Sequence, residues 1–171
     1  METVGLLDLL TQFGATGDFA GLRPLGSFPV PARGEPEQSG RVVEHLPWPQ
    51  WFQYGCMSVE VCRCGIINSV SVRTWYDSVT LPVGEPGAYS SFPGPPGFRE
   101  LSAALAAAGV RWERRVETHS LPQFTMETTV VDLPDVTVDF YFTTAEDPHF
   151  PTLFSAHARE SSHVCPDGPH R

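Results

Sequence analysis

Apolar and polar positions alternate along this chain in two rhythms. Near the N-terminus Leu6, Leu9, Leu10 and Phe13 fall at i, i+3, i+4 and i+7. That spacing predicts a helix capped by Thr3, running to about Phe13 and stopped by Gly14. Phe98, Leu101, Leu105 and Ala108 form a second such stripe, so a helix is expected over about 98–108, with Gly109 as its stop.

The other rhythm has a period of two. Met57, Val59 and Val61 alternate with Ser58, Glu60, Cys62 and Cys64, which predicts a strand over 55–64. Gly65 turns the chain into a second strand over 67–76, with Val70, Val72 and Tyr76 facing inward. A strand at 110–117 puts Trp112 and Val116 on one side. The clearest hairpin follows. Phe124, Met126, Thr128 and Val130 alternate with polar residues, Leu133-Pro134-Asp135 turns, and Val136, Val138, Phe140 and Phe142 alternate in return. Such half-polar strands bury one face and wet the other, which indicates antiparallel pairing. Between these elements, 15–50 is expected to be mostly loop with one short strand near Arg41–Glu44. Residues 82–97, with five prolines and four glycines, read as a stiff linker. A short helix is expected near Leu153–Arg159.

Each half, 1–80 and 98–144, thus reads as a helix followed by strands. The prediction is one α+β domain over 1–160. It would hold a single antiparallel sheet of about five or six strands with two helices packed on one face, a pattern compatible with internal duplication. Residues 161–171 read as a flexible tail.

Composition narrows the function. The chain has 171 residues and a net charge of −9, and its 11 cationic residues are all Arg. The absence of Lys points to a GC-rich, actinobacterial coding sequence. Scattered arginines, with one cluster at Arg111, Arg114 and Arg115 broken by Glu113, argue against nucleic-acid binding. An acidic surface favours a basic protein partner. Glu2 and Asp8 spoil a secretory signal, and no run of 18 apolar residues exists to span a membrane. A cytoplasmic protein with reduced cysteines is therefore expected.

Candidate chemistry is sparse. Phosphate cradles and a nucleophile elbow are missing, so no catalytic residue is assigned and no cofactor is expected. Glu60, Glu113, Glu117, Glu127 and Asp139 fall on the wet faces of strands and read as surface pairs with arginines. Cys62 and Cys64 should point to one side of their strand, with Cys56 on the same side. Together with His163 and Cys165 they offer enough ligands for a zinc ion. A one-residue gap differs from the two-residue gap of a zinc ribbon. The sequence therefore favours shielded cysteines and a loose tail over a metal site. The most suggestive stretch is Pro47–Gly55, where Trp48, Trp51, Phe52 and Tyr54 could form a rigid contact surface or complete the core.

Gly34-Glu35-Pro36, followed by Trp51-Phe52-Gln53-Tyr54-Gly55 and the strands beyond it, resembles a pattern in small actinobacterial α+β proteins of immunity-protein type. The likeness covers about 40 residues. It implies an acidic protein that acts only by binding, with no catalytic residue. The expected function is a non-enzymatic protein-binding module. The alternatives are a metal-binding enzyme or sensor built on Cys62 and Cys64, or a small-molecule binder with its cleft beside 82–97.

Overall fold

The computed structural model describes residues 4–28, 49–117, 126–144 and 151–166. The expected strand at Arg41–Glu44 lies outside them, and the first helix is capped at Gly5, whose N–H donates to Asp8 Oδ2 at 3.0 Å, and not at the expected Thr3. In chain order the elements are α1 (Leu6–Thr16), β1 (Gln50–Tyr54), β2 (Met57–Val61), β3 (Ile67–Arg73), β4 (Ser78–Pro82), β5 (Tyr89–Pro93), α2 (Phe98–Ala107), β6 (Glu113–Glu117), β7 (Met126–Asp132), β8 (Val136–Thr143) and β9 (Thr152–Glu160). Seven strands form one antiparallel sheet in the order β1-β2-β3-β9-β8-β7-β6, and β4 pairs with β5 in a second sheet.

The expected α+β fold of five or six strands is therefore corrected. Strand makes up 46% of the described residues, which hold two short helices, and the architecture is mainly β. Four segments account for the difference, the first being β4, which forms at 78–82 where no strand was expected. Residues 50–54 form an edge strand, because Phe52 and Tyr54 alternate inward despite the prolines before them. Part of the expected linker is β5, which pairs Val79 with Phe92 and Leu81 with Ser90. Residues 152–160 are not a helix. They form β9, which lies between β3 and β8 and joins two three-stranded meanders. Ala156 and Ala158 have good helix propensity, but here they lie opposite Phe140 and Val138 and are fully buried. Tertiary pairing overrides the local preference.

The helices cover the face that carries Val138 and Phe140. Leu6, Leu10 and Phe13 of α1 and Leu101 and Leu105 of α2 join the same core as Val59, Val70, Val72 and Phe142. α1 passes through Gly14 rather than stopping there. A Cβ at that position would stand 2.7 Å from Leu105 Cδ2 and 3.1 Å from a Phe140 ring carbon, so glycine lets the two helices and β8 meet. The helix ends at Gly17, in the left-handed region. Tyr76, expected inside, is exposed beyond the end of β3.

Gly55 makes the tight β1–β2 turn. Its φ is +60°, and a Cβ there would lie 2.5 Å from the Thr80 carbonyl oxygen. That carbonyl is fixed, since it accepts the Cys56 N–H at 2.7 Å. Gly55→Ala is expected to lower stability by about 2 kcal/mol or more, through backbone strain and the clash together. A thermal melt that matched the parent would refute this.

Candidate metal centre

Two backbone features bring the expected ligands together. The first is the β2–β3 turn. The Cys62 N–H donates to the Ile66 carbonyl at 2.8 Å, and the Gly65 N–H donates to the Cys62 carbonyl at 2.9 Å. Gly65, at φ +79°, closes the turn in a conformation that a side chain would strain. Cys62 and Cys64 sit on this knuckle, beyond the last residue of β2. The second feature is sheet order. β9 pairs with β3, with Arg159 opposite Ser69, so the end of β9 arrives beside the turn. Glu160 then accepts the backbone N–H groups of Ser162 and His163 and folds the chain back. Two segments about 100 residues apart thereby face each other.

The Cys62, Cys64 and Cys165 sulfurs and a His163 ring nitrogen all lie within 4.8 Å of one another. His163 Nε2 is 3.3 Å from both Cys62 Sγ and Cys64 Sγ. A tetrahedral zinc ion requires sulfur–nitrogen edges of about 3.5 Å and sulfur–sulfur edges of about 3.8 Å. The Cys62 and Cys64 sulfurs, 2.6 Å apart, must open by roughly 1 Å to reach that edge. Cys62 and Cys165 are buried, and Cys64 and His163 are half-buried. The Ile66 backbone hydrogen-bonds the Cys64 thiol, a contact suited to stabilising a thiolate. Without an ion, the hydrogen bond to Cys62 and burial push the Cys64 thiol up to about 11. A thiol so protonated is a poor nucleophile. A divalent cation reverses that preference and deprotonates its ligands.

The segment expected to be a loose tail thus supplies half of the cluster, and Cys165 is 8% exposed. His170 lies outside the described residues. Cys56 does not join. It occupies the turn at the opposite end of β2, packed against the core and hydrogen-bonded to Thr80 and Arg73 through its backbone.

The other expected site residues are dispersed. Phe52 and Tyr54 belong to the core, Phe52 stacks on Phe28 at 4.4 Å, and Trp51 is half-buried. Trp48 lies outside the described residues. An exposed aromatic surface occurs elsewhere. Trp75 stacks on Phe154 at 4.5 Å and leans on Tyr76 at 5.3 Å, with the Arg73 guanidinium 5.7 Å from its ring. Thr74, fully buried, pins this platform by hydrogen bonds to the Phe154 and Leu153 carbonyls. Sequence reasoning missed it, although adjacent Trp75 and Tyr76 cannot both face inward on a regular strand. Beside 82–97 lies an open groove of about 950 Å³, lined by Val4, Leu7, Phe92, Pro93, Pro96 and Glu100. Among the described lining residues the one carboxylate, Glu100, is engaged with the Gly97 N–H and the Ser91 hydroxyl with Thr80, which leaves little to orient a small ligand.

On the sheet face away from the helices, Asp139 is not a wet surface carboxylate. It is 2% exposed and pairs with Arg159 at 2.9 Å. Burial raises its pKa above the usual 3.8 despite the opposing arginines. Neighbouring His157 is held below its usual 6.5, first by burial and then by Arg159. The two groups tilt the pH profile in opposite senses. Unfolded His157 binds a proton near 6.5 and the folded residue only lower, so stability falls as pH drops through that interval. Folded Asp139 binds its proton above 3.8, so its burden is relieved as pH falls from that raised value towards 3.8. His157→Gln is expected to flatten the pH dependence of unfolding just below pH 6.5; denaturant melts across that range with an unchanged slope would refute it.

Comparison with protein-family models, curated proteins and solved structures finds no match to this chain. Among the described residues no helix is long and apolar enough to cross a membrane.

Proposed function

We propose that this chain is a metal-stapled β domain in which Cys62, Cys64, His163 and Cys165 hold one zinc ion. The observation that carries the reading is the convergence of four soft ligand atoms, from two distant segments, within 4.8 Å. Three sulfurs and an imidazole favour zinc over oxygen-loving cations. The cluster is tight enough for a single ion rather than a multi-iron cluster. Four protein ligands complete a tetrahedron and leave no position for substrate, which is the mark of a structural site. The ion ties the C-terminal segment to the β2–β3 turn. X-ray absorption on the zinc-loaded protein tests the ligand set. Three sulfurs at about 2.3 Å and one nitrogen at about 2.0 Å are expected; a shell of oxygen and nitrogen only would reject it.

A non-enzymatic protein-binding role is a second reading, supported by the Trp75–Tyr76–Phe154 platform. Exposed, rigidly held aromatics are typical anchors of interfaces, and a net charge of −9 favours a basic partner. Trp75→Ala with Phe154→Ser should abolish capture of such a partner while the protein stays folded, with a melting temperature lowered by far less than Phe140→Ala lowers it. Equal capture by both proteins would count against the platform.

A further inference from the structure

We propose that the metal centre is a peroxide-responsive latch, in which Cys64 is oxidised first, Cys62 resolves it, and the C-terminal ligands are released. The proposal rests on the zinc reading above and adds a direction to it. Cys64 is the half-buried sulfur of the three, whereas Cys62 and Cys165 are buried. Attack therefore begins at Cys64. The Cys62 sulfur is 2.6 Å away on the same four-residue turn. That turn is held by its own backbone hydrogen bonds from Cys62 and Gly65, so the two sulfurs stay neighbours whether or not an ion is bound. Cys165 and His163 stand on the other segment, beyond Glu160, and remain near only while that segment is tied down.

The chemistry balances with hydrogen peroxide as oxidant. The Cys64 thiolate sulfur attacks a peroxide oxygen, the O–O bond breaks and hydroxide leaves, giving a sulfenic acid. The Cys62 thiolate then attacks the Cys64 sulfur, the S–S bond forms, the S–O bond breaks and a second hydroxide leaves. Two thiolates give up two electrons in total, and the peroxide takes both. Zinc, left with Cys165 and His163, loses half its ligands and dissociates. The β2–β3 turn stays closed by the new disulfide, while Cys165 becomes a free and accessible thiol.

The test uses the full chain carrying about one zinc ion per molecule, established by elemental analysis before oxidation; a chain without zinc fails the metal reading itself, before any peroxide is added. Roughly ten equivalents of hydrogen peroxide are then added, a dye reports released zinc, and peptide mapping locates the disulfide. Stoichiometric release, a Cys62–Cys64 linkage, new alkylation of Cys165 and restoration by thiol reductant with zinc are expected. Cys56→Ser, which leaves the centre intact, should behave identically. Zinc retained by the loaded protein, or a disulfide that contains Cys165, would overturn the latch while leaving the metal site standing.

Discussion

Removing zinc with a strong chelator is expected to lower the thermal midpoint of this protein by about 10 °C. The size follows from linkage. An ion present at about a thousand times its dissociation constant stabilises the folded state by about 4 kcal/mol. For a chain of this length each kcal/mol moves the midpoint by roughly 2–4 °C. Structural zinc binds more tightly than that comparison requires, so the figure is conservative. The loss should be local in origin. Without the ion the 161–165 segment is held by the Glu160 hydrogen bonds to Ser162 and His163 and by thiol contacts such as those of His163, whereas the core of Val59, Val70, Phe140 and Leu105 is untouched. Cys165→Ser should reproduce most of the shift and make the protein insensitive to chelator. Calorimetry with and without chelator measures both. A midpoint that does not move in the parent would mean that no ion is held.

Phe140→Ala should be the most damaging single truncation in the core, at about 3–5 kcal/mol, or on the order of 10 °C in midpoint. Phe140 is fully buried on β8, opposite Ala156. Its ring reaches the space that a side chain at Gly14 would fill. Three elements therefore meet on one ring: α1 through the missing side chain of Gly14, β9 through a small alanine, and β8 itself. Gly14 and Ala156 are too small to collapse into the cavity, and Leu105 of α2, which reaches the same space, is already fully buried where it stands. Phe154→Ala provides the contrast. That ring is 36% exposed, and its loss should cost well under half as much. Equal effects from the two variants would mean that the sheet faces have been misassigned.

These elements were unequally legible in the sequence. The 126–143 hairpin and the 57–73 hairpin could be read because Met57, Val59 and Val61 in one, and Val136, Val138, Phe140 and Phe142 in the other, recur at every second position and Gly65 and Pro134 mark the turns. β9 could not. It occupies the centre of the sheet, where the room left by Phe140 and Val138 selects alanines that also suit a helix. β5 was hidden because prolines flank it, and a strand in a two-stranded sheet tolerates them at its ends. The Trp51–Tyr54 run shows the limit of composition. Aromatic density marks a large apolar payload but does not say whether the rings face the core or a partner; here Phe52 and Tyr54 face the core.

The metal ligands were visible as residues but not as a site. Spacing rules describe centres whose ligands wrap the ion from one short segment, and Cys62-Arg63-Cys64 lacks that spacing. What assembles this one is the pairing of β3 with β9, which carries His163 and Cys165 to the turn. Once β9 is read as a helix, the segment after it has no defined destination, and the tail appears loose for that reason alone.

The measurement closest to the centre of this account is the metal content of the untagged protein, purified without added metal or chelator. About one zinc ion per chain is predicted, retained through dialysis and lost in Cys62→Ser. Less than roughly 0.1 of any thiophilic metal per folded chain would contradict it, and would leave four converging side chains with no ion to hold.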